Sequence, residues 1–118
     1  MINKVSLLGN VGKDAELRSF DGGSIVSFSL ATSKSFKKGD SWEEKTTWHN
    51  IKYFSKNDLS NTAARVIKGA TVYVDGEIET REHEGKYYTD IRANLVRVIG
   101  GEKKSNAQPI AVDDDLPF

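Results

Sequence analysis

This chain predicts an all-β fold of five short strands, with a single helix between the third and the fourth. Three observations lead there. Apolar residues alternate with period two in several runs, glycine-centred turns separate those runs, and helical spacing occurs in one place only. A length of 118 residues suits one domain with a modest core.

The elements follow in chain order. Val5, Leu7 and Gly9 begin a first apolar segment that resumes around Ala15 to Arg18, with Gly9-Asn10-Val11-Gly12 as a bend between its halves. Asp21-Gly22-Gly23 signals a turn, because glycine accepts positive φ without steric cost. Val26, Phe28 and Leu30 then alternate with Ser27, Ser29 and Ala31, the pattern of a half-buried strand. Residues 46–54 make a third strand, 70–80 a fourth and 87–99 a fifth. Between the third and fourth, Leu59, Ala63, Val66 and Ile67 recur at helical spacing. Asn57 or Asp58 can cap that helix and Gly69 can close it. Five strands with one helix in that position match the OB-fold, a small Greek-key barrel, although a generic α+β meander gives a similar string. From Gly100-Gly101 onward the chain is polar and without apolar periodicity, and both prolines, Pro109 and Pro117, lie there. The expected division is a folded domain over 1–100, a short linker over 101–112 and a disordered acidic tip over 113–118.

Composition removes several classes of function. There is no cysteine, so disulfides, thiolate metal sites and cysteine nucleophiles are excluded. No apolar run approaches a membrane span, and the N-terminus has no long apolar stretch of a secretory signal, which points to a cytoplasmic protein. His49 and His83 are far apart and carry no metal-ligand spacing, while neither a phosphate-cradling glycine motif nor a nucleophile elbow is present. Neither enzymatic activity nor any metal or cofactor is expected. Net charge is zero, but its distribution is uneven. Residues 1–100 hold 15 Lys/Arg against 13 Asp/Glu, and residues 101–118 hold 2 against 4. A mildly basic body carries an acidic tail.

The third strand bears the chemistry. With period two, Trp48, Asn50, Lys52 and Phe54 share one face and His49, Ile51 and Tyr53 the other. The first face makes a poor dry core but a good platform for stacked bases, with a cation among them for phosphate. Each stacked base is worth roughly 1–3 kcal/mol, and any base will serve because every base has a π-face. The alternative is that Trp48 and Phe54 are core residues beside a snorkelling Lys52. Ser35 to Lys45 reads as a long hairpin loop in which Phe36 and Trp42 sit among Lys37 and Lys38, suggesting a flexible clamp over nucleic acid. Glu43 and Glu44 oppose that attraction, and Trp42 is equally readable as an incidental loop aromatic. Phe36 shares the parity of Phe28 and Leu30, so its exposure requires the strand to bulge or end before it.

The chain closes on Asp113, Asp114, Asp115, Leu116, Pro117 and Phe118. Three adjacent carboxylates and a proline keep this segment out of a core, yet it carries two large apolar side chains. An apolar anchor beside a free carboxylate, preceded by acids, is suited to a basic-rimmed apolar pocket on a partner protein. Accidental composition at a ragged end is the alternative.

Together these segments resemble the bacterial and phage single-stranded DNA-binding protein family. The resemblance rests on Asn3-Lys4-Val5-Ser6-Leu7-Leu8-Gly9-Asn10-Val11-Gly12-Lys13-Asp14, Leu30-Ala31-Thr32-Ser33, Thr47-Trp48-His49, and Lys68-Gly69 followed by Val72-Tyr73-Val74-Asp75-Gly76. The acidic tip with its terminal Pro-Phe fits as well. What the resemblance implies is an OB-fold, usually a homotetramer, that coats single-stranded DNA without sequence preference in replication, recombination and repair. It further implies a nucleoid-associated location and partner recruitment through the tip. It assigns stacking to Phe36, Trp48 and Phe54, basic contacts to Lys56 and Lys68, and a place near the subunit interface to His49. In the fourth–fifth strand hairpin, His83 stands where the family commonly has a tryptophan, and Glu79 and Glu82 stand where cations are usual. That hairpin, Arg81 to Lys86, is therefore expected to contribute less here. Two other classes stay open: an OB-fold protein-interaction module with little DNA affinity, and a small nuclease.

Overall fold

Backbone ladders run through most of residues 1–101, which are the residues described by the computed structural model. The strands are β1 (Val5–Val11), β2 (Glu16–Phe20), β3 (Gly23–Lys38), β4 (Ser41–Ser55), β5 (Thr71–His83) and β6 (Lys86–Gly100), with α1 (Ser60–Arg65) between β4 and β5. The sheet order is β1-β5-β6-β4-β3-β2, and a further β1–β3 pairing closes it into a barrel. All pairings are antiparallel except β4 with β6. The first expected strand is thus β1 and β2 in two halves, and the five-stranded barrel with one helix stands. The break falls later than expected, because Gly9, Asn10 and Val11 still pair within β1.

Period-two alternation fills the barrel. Val26, Phe28 and Leu30 from β3, Ile51 from β4, Val72 and Val74 from β5, and Ile91 from β6 are buried together. Closure spares these strands most of the open edge an unclosed sheet would leave.

The helix is shorter than its spacing suggested. No residue of α1 itself is buried; Leu59 before it and Val66 after it supply the apolar contact. Leu59 occupies the N-cap with no side-chain bond, so neither Asn57 nor Asp58 caps the helix. Asp58 instead accepts the Ser60 amide at 3.0 Å and the Ser60 hydroxyl at 2.6 Å. These bonds favour the carboxylate and hold its pKa below the ordinary aspartate range. Gly69, with φ of +88°, lies in the connection to β5 rather than at the helix end, and its N–H donates to the Val11 carbonyl at 2.9 Å.

The segment expected as a loop is strand. Pairing between β3 and β4 is continuous from Ser24↔Ser55 to Lys38↔Ser41, leaving only Gly39-Asp40 as the turn. Gly39 takes φ of +63°, the conformation a two-residue hairpin turn of this hand requires at its first central position. Residues 35–45 lack apolar alternation because they project past the core, so periodicity gave no strand signal there. The backbone ladder does not need one.

Candidate nucleic-acid interface

Opposed residues of an antiparallel ladder project to the same side, so the register sorts every side chain of the hairpin. Trp48 lies opposite Ala31, Asn50 opposite Ser29, Lys52 opposite Ser27 and Phe54 opposite Ile25. This set forms the outer face of the barrel, and the buried Ile51 marks the inner one. Trp48 is 59% exposed and Phe54 41% exposed, and neither belongs to the core. Their reading as core residues fails.

Trp48 is seated by backbone. A Cβ placed on Gly12 would come within 2.5 Å of the indole, so the ring lies directly on this residue. Gly12 is a seat as well as a bend.

The parallel pairing of β4 with β6 extends the face sideways. Lys52 pairs with Arg92, and from there the outer side of β6 carries Asp90 and Tyr88. Their partners on β5 are Glu79 for Asp90 and Arg81 for Tyr88. The Arg92 guanidinium stands 5.0 Å from the Phe54 ring centre and 3.6 Å from the Glu79 carboxylate. Arg81 stands 4.8 Å from the Tyr88 ring centre and donates from Nε to Asp90 Oδ2 at 2.7 Å. Lys52 Nζ approaches the same oxygen at 3.6 Å. Asp90 is therefore a buried carboxylate holding two cations on the outer face, while its Oδ1 has no hydrogen-bond partner among the described residues. A cavity of about 280 Å³ opens beside them, lined in part by Lys13, Asn50, Lys52 and Arg81.

Sequence reading missed Arg81, Tyr88, Asp90 and Arg92. The signal available was Tyr88, Asp90 and Arg92 at period two after the Glu84-Gly85 turn. Recognising it required knowing that β6 lies next to β4, a pairing between strands far apart in sequence.

The hairpin arm divides its aromatics. Trp42 pairs with Lys37 and shares the parity of Trp48, whereas Phe36 and Lys38 fall on the opposite side of the ribbon. Phe36 is 41% exposed with no bulge and no strand end before it. It is exposed because the arm has left the barrel and Phe36 lies beyond the core. Lys37, Lys38 and Trp42 are exposed near the tip. Lys56, just after β4, and Lys68, before β5, are exposed too; the Lys68 amide donates to Asp14 at 2.9 Å. His49 is half-buried on the inner-face parity, with Nε2 2.9 Å from the Thr32 hydroxyl. In the β5–β6 hairpin, Glu79 shares the outer face with Arg92, but Glu82 pairs with Tyr87 on the other side. Asp113, Asp114, Asp115, Leu116, Pro117 and Phe118 lie outside the described residues. Among the described residues no group of three or more metal-ligating side chains converges, and no helix is long and apolar enough to cross a membrane.

Known proteins share this architecture. The SSB of Plasmodium falciparum in complex with single-stranded DNA superposes with a TM-score of 0.68 at 30% identity, over 84% of this chain and 94% of that one. A deletion mutant of the single-stranded DNA binding protein from Thermus aquaticus gives 0.72 at 23% identity, over 85% of this chain and 51% of that one. In sequence, the single-stranded DNA-binding proteins of Neisseria meningitidis serogroups A and B are each 35% identical over 113 residues. That span is 89% of this chain and 64% of those relatives, so the chain spans less than two thirds of their length. The single-strand binding protein family matches residues 2–99, and with its barrel and its outer row of aromatics and cations this chain belongs to that family.

Proposed function

We propose that this protein binds single-stranded DNA without sequence preference, and that the outer pleat of β4 is its main contact. The observation carrying this reading is the outer row Trp48, Asn50, Lys52 and Phe54, its two rings exposed and Lys52 half-buried, flanked by Arg92 and Arg81. Aromatic planes take bases of any identity, and neighbouring cations take phosphates. Lys37 and Trp42 on the same side of the arm, with Lys56 and Lys68, extend the contact, and Phe36 and Lys38 offer DNA a second surface on the other side of the arm. Titration with oligo-dT tests this directly. Stacking should quench Trp48 emission, and Trp48→Ala should cost about 1–3 kcal/mol of affinity. A folded Trp48→Ala chain that binds oligo-dT as tightly as the parent removes the platform.

The remaining readings follow the family. The body over 1–100 assembles as a homotetramer with His49 near the interface, and 101–112 tethers a tip over 113–118. Asp113, Asp114 and Asp115 supply charge attraction, and Leu116, Pro117 and Phe118 an apolar anchor, for proteins of replication, recombination and repair. Such a protein works in the cytoplasm on nucleoid DNA, without a cofactor and without catalysis.

A further inference from the structure

We propose that the stacking face continues past Phe54 onto β2, where Phe20 takes a further base and Arg18 the adjoining phosphate. This rests on the reading of β4 as a platform for single-stranded DNA. Register carries it: Arg18 lies opposite Ile25, Ile25 opposite Phe54, and Phe20 opposite Gly23. Arg18 and Phe20 therefore project to the same side as Phe54. Phe20 is 49% exposed, more than Phe54 itself, and lies outside the core. Its cross-strand neighbour Gly23 has no side chain to cover the ring. Arg18 has no ion-pair partner among the described residues. A groove of about 250 Å³, lined by Arg18, Ile25, Ser27 and Lys52 with Glu16, joins the two strands. Lys52 also lies 3.6 Å from Asp90, but Arg18 is left uncompensated in this lining and favours a polyanion as its occupant, and the groove is continuous with the face already described. The step from β4 to β2 is two strand spacings, roughly 10 Å.

Fluorescence gives the test. In a full-length chain carrying Trp42→Phe and Trp48→Phe, Phe20→Trp places the only indole on β2, and oligo-dT should quench it. In the unsubstituted chain, Phe20→Ala should weaken oligo-dT binding about tenfold. Arg18→Gln should flatten the log–log salt dependence by roughly 0.7. An unquenched indole in a chain that still binds overturns the proposal. So does a Phe20→Ala chain with unchanged DNA affinity but altered sedimentation, which would make the patch a contact between copies. Failure of the unsubstituted chain to bind oligo-dT at all would instead overturn the platform reading, and this extension with it.

Discussion

At the scale of single residues, the interface depends on what lies beneath an aromatic as much as on the aromatic itself. Trp48 rests on Gly12, where any side chain would occupy the space of the indole. Gly12 has no positive φ, so a substitution there acts through the ring and not through backbone strain. Gly12→Val should therefore lower oligo-dT affinity while moving the melting temperature less than a core truncation such as Leu30→Ala would. An unchanged affinity would show that the ring relocates without loss. Asp90 is the second such support: a carboxylate 3% exposed at its side chain, gripped by Arg81 and approached by Lys52. Breaking a buried charge pair leaves the other charges uncompensated, so its removal disturbs both cations together.

At the scale of elements, the two hairpins differ in what their turns and faces do. Glu84 and Gly85 both take positive φ, as a tight turn of this type requires, and this fixes which side chains of β5 face outward. Glu79 faces the platform and neutralises Arg92, whereas Glu82 faces away beside Tyr87. Glu79→Gln should free the guanidinium, raise affinity at low salt and steepen the salt dependence. Glu82→Gln should do neither, and equal effects from both would mean that long-range charge, not contact with Arg92, is responsible. The entry to α1 makes a different prediction. Asp58 has its pKa lowered by the Ser60 hydroxyl and amide, so its contribution is complete at neutral pH and above the ordinary aspartate range. It is lost as pH falls through the lowered value. The melting difference between the parent and Asp58→Ala should be present at pH 7 and shrink in acid; a constant difference would rule out the charge as its source.

For the whole molecule, barrel closure places β4 between β3 and β6 so that residues from five strands, β2 to β6, share one outer surface. Under the proposed reading of His49 as an interface residue, its inner-face parity would leave that surface unobstructed. Sedimentation equilibrium at micromolar concentration should give a tetramer. A bulky replacement at His49 should loosen it before unfolding the domain, and a monomeric parent would end that reading.

Much of this was legible in residue order alone. Alternation at Val26, Phe28 and Leu30, and the split of Trp48, Lys52 and Phe54 from Ile51, are local consequences of pleat geometry, which any extended segment obeys. They pointed to a mostly β fold with an aromatic face on one strand, and left the barrel against an α+β meander for the strand pairing to decide. The ordered arm over 35–45 was not legible, because its ladder bonds join backbone groups and leave no trace in side-chain pattern. Neither were the seat under Trp48, the Arg92–Phe54 contact, or the place of Arg18 and Phe20 on the same surface. Each joins residues on different strands, and only the tertiary pairing of β1, β2 and β6 with the β3–β4 hairpin decides which of them meet.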